Sequence, residues 1–124
     1  MTGDPGDPEE GGENPAAPAA PPEPPAPPRR GVRLVLRGRV QGVGFRYFVR
    51  QLGRQLGLAG RVRNLLDGRV EIEAAGDPDR VEELKQWARQ GPPGALVTGM
   101  DEHSMTEVPP WDSFEIDREK PWTT

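Results

Sequence analysis

The chain has 124 residues, 16 Lys and Arg against 20 Asp and Glu, a formal net charge of −4, one histidine and no cysteine. Disulfides, thiolate metal sites and cysteine nucleophiles are therefore excluded, and no protein zinc cluster is expected. The negative charge belongs to the first residues: residues 1–28 carry six acids and no base, leaving 14 acidic against 16 basic groups in the remainder.

That first stretch holds ten prolines, no aromatic residue and no large aliphatic residue after Met1. It cannot bury enough apolar surface to offset its ordering entropy, so residues 1–30 are expected to be a disordered, acidic, proline-rich tail that solubilises or spaces. No basic n-region precedes an apolar h-region, and no run approaches the ~18 apolar residues of a membrane span. The cytoplasm is the expected compartment, with no membrane partner. Residues 31–117 are expected to form one small domain and 118–124 a C-terminal tail. The near neutrality of the domain offers no electrostatic case for a nucleic-acid partner.

Val32, Leu34, Leu36, Gly38 and Val40 alternate with Arg33, Arg37 and Arg39, the period of a half-buried strand. From Phe45 the period changes, with Phe45, Phe48, Val49, Leu52 and Leu56 on one face of a helix that stops at Gly57. Gly53 weakens this helix by about 1 kcal/mol relative to alanine. Leu58 to Asn64 is a second strand with Val62 inward, and Asp67-Gly68 signals a hairpin turn. In the third strand Val70, Ile72 and Ala74 alternate with Glu71 and Glu73. Asp77-Pro78-Asp79 opens a second helix with stripe Val81, Leu84, Trp87 and Ala88, closed by Gly91-Pro92-Pro93. A fourth strand is expected over 95–103 and a short closing strand over 111–116.

The order β-α-β-β-α-β defines an α+β, ferredoxin-like two-layer sandwich, an antiparallel sheet with both helices on one face. Right-handed crossovers place the third strand between the first and second. The first two strands then run parallel, and their C-terminal ends bring the turn at 38–46 and Asn64 to one sheet edge. Asn64 is in step with Val62 and points to the helix side. On the outer face, Glu71 and Glu73 are flanked by Arg33 and Arg37 on one neighbour and Arg61 and Arg63 on the other, so cross-strand ion pairs are expected.

The run Gly38-Arg39-Val40-Gln41-Gly42-Val43-Gly44-Phe45-Arg46 lies between a strand and a helix. Its glycines let backbone N–H groups converge, the helix adds its unpaired first-turn donors, and the guanidinium at its end suits a phosphate. Neither a G-x-x-x-x-G-K-[ST] nor a G-x-G-x-x-G pattern is present, which excludes the common nucleotide loops. With no cysteine or aspartate nucleophile in the turn, a covalent phosphoenzyme is not expected, and water must attack directly. A carboxyl-phosphate mixed anhydride fits such a site, because its leaving carboxylate needs no general acid.

G-R-V-Q-G-V-G-F-R at 38–46 followed by L-G-L-A-G-R-V-R-N-L-L-D-G-R-V at 56–70 resembles the acylphosphatase family over 31–117. The resemblance implies hydrolysis of acyl phosphates to carboxylate and inorganic phosphate, without metal or cofactor. It implies that Arg46 and the backbone amides of Gln41, Gly42, Val43, Gly44 and Phe45 hold the phosphoryl group, and that Asn64 orients the water. Singly, Arg46 reads better as a solvated helix-start arginine and Asn64 as a pre-hairpin turn residue; it is their shared edge and motifs that favour catalysis. The chain departs from the family at Leu65, where some members carry a hydroxyl, at Arg61, often aromatic, and at Gly53, commonly alanine. Trp87 is expected in the core, His103 in a structural or exposed place, and Trp111 and Trp122 against the domain edge. The competing function is a non-enzymatic ferredoxin-like module for RNA or protein; strands one and three lack the aromatics that stack bases. A monomer is the simplest expectation.

Overall fold

A computed structural model describes residues 29–119; of the tails expected over 1–30 and 118–124, residues 1–28 and 120–124, with Trp122, lie outside the described residues. The elements in chain order are β1 (Arg30–Arg39), α1 (Phe45–Gln55), β2 (Ala59–Asn64), β3 (Val70–Gly76), α2 (Pro78–Gln90), β4 (Leu96–Ser104) and β5 (Phe114–Ile116). The sheet order is β4-β1-β3-β2-β5, with β3 between β1 and β2 as the crossover rule requires. Among the described residues no helix is long and apolar enough to cross a membrane.

The four strands β1 to β4 pair antiparallel, but β5 lies parallel to β2, so the complete sheet is mixed rather than purely antiparallel. The chain leaves β4 at one edge, crosses to the other through residues 105–113 and arrives in the direction of β2.

Period two places Val32, Leu34, Leu36, Val70, Ile72 and Val62 beneath the helices, all fully buried. Phe45 and Val49 of α1 and Val81, Leu84 and Ala88 of α2 complete that core. Gly57, at φ +70°, ends α1: Leu58 N–H donates to Gly53 O at 2.9 Å and Gly57 N–H to Arg54 O at 3.1 Å, the two bonds of a Schellman stop. At α2 the Asp77 carboxylate accepts from Asp79 N–H at 2.8 Å, with Pro78 at the first helical position.

One expectation fails, and another holds for only part of its residues. Trp87 is not a core residue but 47% exposed, while Lys85 is buried in its stead. The true stripe is Val81, Leu84, Lys85 and Ala88, spaced i, i+3, i+4, i+7, and the lysine is acceptable there because Nζ reaches Glu102 at 2.7 Å and Glu82 at 3.2 Å. On the outer face, Arg33 and Arg63 both grip the fully buried Glu71, and Arg63 also reaches Glu73 at 2.9 Å and Asp117 at 2.8 Å. Arg37 turns instead to Asp101 of β4 at 2.5 Å. Arg61 donates to Gly60 O and Ser113 O and lies 5.8 Å over the Trp111 ring, so an aromatic side chain does occupy that surface, supplied by the 105–113 crossing.

Burial works against the charge of Arg63, yet its hydrogen bonds to Asp117, Glu73 and Glu71 outweigh it and push the guanidinium above its ordinary value. In return Arg63 holds the Asp117 carboxyl below the usual carboxylate range.

Candidate active site

The glycine-rich run leaves β1 at Arg39 and enters α1 at Phe45. Gly42 and Gly44 have φ of +76° and +78°, and a Cβ at either would meet nothing within 4 Å. These glycines serve backbone conformation rather than space: Gly42 and Gly44 both take the left-handed region that side-chain-bearing residues rarely adopt.

Gly44 is the N-cap of α1 and has no side chain to cap it, and no acid lies in the first turn. The first intrahelical bond is Phe48 N–H to Gly44 O at 3.0 Å, so the preceding N–H groups must find partners outside the helix. The contrast with α2, where Asp77 caps and Asp79 complements the dipole, shows that α1 keeps its positive end open.

Arg46 stands at the second position of this helix, half-buried, with no hydrogen bond or ion pair to another described residue. Most arginines of the sheet are committed, as at Arg33, Arg37 and Arg63. An uncommitted guanidinium near an uncapped helix N-terminus has the charge and donors that an anion needs.

Asn64 ends β2, and both it and Leu36 are register partners of Val70 on β3. The row Leu36, Val70, Asn64 therefore marks the sheet edge from which the glycine run departs four residues on. Asn64 Oδ1 is buried and accepts no hydrogen bond from any described residue. A buried amide oxygen without a donor costs about 1–3 kcal/mol, and such a group calls for an explanation.

The loop and the hairpin are in direct contact. Gln41 Nε2 donates to Leu65 O at 2.8 Å and to Arg69 O at 2.9 Å, while Leu65 N–H donates to Arg69 O at 2.9 Å. Sequence reasoning used only the backbone of Gln41; its side-chain partners lie 24 and 28 residues away, and no local pattern announces them. On the far side the loop meets residues 91–95: Val43 approaches Gly94, and a Cβ on Gly91 would come within 2.8 Å of the Phe45 ring.

Leu65 is fully buried. Its side chain packs in the interior, so the position following Asn64 contributes no polar group. The apolar depression lined by Phe48, Gln51, Leu52, Gln55 and Trp87 lies between the helices and contains neither Arg46 nor Asn64. His103 is exposed on β4, opposite Arg33, away from both.

What the edge offers is thus a row of open backbone donors, one unpaired guanidinium and one undonated amide oxygen. Nothing among these is a nucleophile or a general acid. The arrangement can hold a tetrahedral or trigonal-bipyramidal oxyanion and orient a neutral molecule beside it.

The model of the Acylphosphatase family matches residues 32–116. An acylphosphatase of Alkalilimnicola ehrlichii is 47% identical over 84 residues, covering 68% of this chain and 93% of the relative. One from Thermococcus kodakarensis is 58% identical over 64 residues, covering 52% and 70%. The crystal structure of acylphosphatase from Bacillus subtilis superposes with a TM-score of 0.69 at 36% identity, covering 71% of this chain and 98% of that one.

Proposed function

Since the chain belongs to the acylphosphatase family and hydrolyses acyl phosphates to a carboxylate and inorganic phosphate, we propose that Arg46, the backbone N–H groups of Gln41, Gly42, Val43, Gly44 and Phe45, and Asn64 carry the reaction. The run 41–45 is then a phosphate-binding loop. Its amides and the Arg46 fork take the three phosphoryl oxygens, whose charge is most spread in the loose transition state. Asn64 Oδ1 accepts a hydrogen bond from the attacking water and aims the water's oxygen at phosphorus. The new P–O bond forms as the bond to the acyl oxygen breaks; the carboxylate departs with the electron pair, and the proton of the water passes to phosphate and solvent.

The observation that carries this reading is the buried, undonated Oδ1 of Asn64 at the edge where the uncapped end of α1 opens. A structural asparagine at the end of a strand would satisfy that oxygen from its own hairpin. The protein is taken to act as a cytoplasmic monomer on a small acyl phosphate, without a nucleic-acid or membrane partner. Against a nucleic-acid partner stands the outer sheet face: β1 and β3 carry no aromatic residue, and Arg33 and Arg63 pair with Glu71.

Hydrolysis of benzoyl phosphate by wild type, Arg46→Ala and Asn64→Ala is the test. Loss of one transition-state contact should cost about 10²- to 10³-fold in kcat. An amide has no titrating proton and a guanidinium keeps its charge, so turnover should be nearly flat from mildly acidic to neutral pH. An unchanged rate in either variant, or a bell-shaped profile, would overturn the assignment.

A further inference from the structure

We propose that the Gln41 side chain is a positioning residue that sets the placement of Asn64 relative to the phosphate-binding loop; this rests on the roles assigned to Asn64 and the loop above. Catalysis by orientation demands that the loop holding phosphorus and the amide aiming the water keep a fixed separation, because near-attack geometry tolerates little displacement. The fold does not provide that by strand pairing. β1 and β2 are not neighbours, since β3 runs between them, and the glycine run and the hairpin both project past the end of the ladder. Along the chain, 22 residues and the whole of α1 separate Gln41 from Asn64.

Gln41 closes this gap directly. Both hydrogens of its carboxamide are engaged, one on Leu65 O at 2.8 Å and the other on Arg69 O at 2.9 Å. These two carbonyls belong to the residues that close the hairpin base, where Leu65 N–H already donates to Arg69 O. Leu65 follows Asn64 immediately, so fixing its carbonyl fixes the peptide that carries the Asn64 backbone. The requirement is chemical as well as steric, because two carbonyl oxygens need a group with two donors. A glutamate of the same length would turn two oxygens toward two oxygens. The backbone N–H of Gln41 remains available to the phosphoryl group, so one residue serves the loop with its main chain and the hairpin with its side chain.

The test uses Gln41→Met, which keeps the length and removes both donors. Benzoyl phosphate turnover is measured together with competitive inhibition by inorganic phosphate, in the wild-type and Asn64→Ala backgrounds. The expected result is a fall in kcat of about tenfold or more with the phosphate inhibition constant within about twofold of wild type, since the backbone donors survive. In the Asn64→Ala background the same change should cost less than about twofold, because the group it positions is gone. A stability effect alone would not produce that non-additivity. Equal losses in the two backgrounds, a phosphate constant that rises in parallel with the loss of kcat, or an unchanged kcat would overturn the proposal. Should Gln41→Met fail to fold, Gln41→Asn, whose amide is one methylene too short to span both carbonyls, carries the same measurements and outcomes. Full activity of Asn64→Ala by itself would instead overturn the catalytic role of Asn64, and this inference with it; an inactive Asn64→Ala beside a fully active Gln41→Met overturns the inference alone.

Discussion

Gly53→Ala sets helix propensity against packing, with opposite signs. In an exposed helix interior the change would stabilise by about 1 kcal/mol. Here Gly53 is buried, and an added Cβ would stand 2.4, 2.6 and 2.9 Å from Cδ2, Cγ and Cε2 of Phe114. Contact with Cγ matters most, because the root of a ring cannot swing aside as a chain end can. Nor can the ring retreat: Phe114 is fully buried, and on another side it faces Gly60, where a Cβ would come within 2.8 Å of its Cε2. Overpacking a closed site costs about 1–3 kcal/mol, so the net effect is a loss of about 1 kcal/mol, or a melting temperature lower by about 4–8 °C for a domain of this size. Thermal unfolding followed by circular dichroism reads it, with Gly53→Ala/Phe114→Leu as the companion in which the lost space is returned and the two changes are non-additive. A melting temperature equal to or above wild type in the single variant would refute the packing account.

The outer face and its carboxylates give further expectations. Glu71 is fully buried between Arg33 and Arg63, so Glu71→Gln leaves two guanidinium groups under-compensated and should cost about 3 kcal/mol in urea unfolding; a loss under about 1 kcal/mol would contradict the buried network. Asp117, through its bond from Arg63, and Glu102, through its bond from Lys85, are both held below the usual carboxylate range. A depressed folded value means that their contribution is complete above the unfolded value of about 4 and is lost as pH falls through the folded one. Melting temperature should therefore be unaffected by these groups from pH 6 to 8 and decline below about pH 4, with a shallower decline in Asp117→Asn. An identical acid slope in that variant would show that the Arg63 bridge does not contribute.

Much of the fold could be read from local pattern. β1 and β3 follow a period of two in sequence, α1 starts where the period changes at Phe45, and Asp77-Pro78 and Gly57 mark helix ends by backbone chemistry confined to a few neighbours. The edge shared by the glycine run and Asn64 followed from crossover handedness, a rule of topology that requires no coordinates. Local pattern failed wherever a partner was distant. Local pattern favours Trp87 over Lys85 for the buried stripe, because a lysine counts as polar and its partner Glu102 lies on another element. Gly53 is a weak point in a helix by local propensity, and only the ring of Phe114 packed against it accounts for the missing side chain.

By itself, then, the sequence determined the element order, the family, and the residue types at the candidate site: glycines that admit left-handed backbone, an arginine in the first helical turn, and an asparagine at a strand end. Those are properties of single residues and short windows, expressed through local sterics and hydrogen bonding. Tertiary structure decided which polar groups are satisfied. That Arg46 is uncommitted while Arg63 is held by three carboxylates, that Asn64 Oδ1 has no donor, and that Gln41 ties the loop to the hairpin are outcomes of long-range contact. Identical residue types occur in both conditions along the chain, and only the closing of the sheet assigns each to one of them.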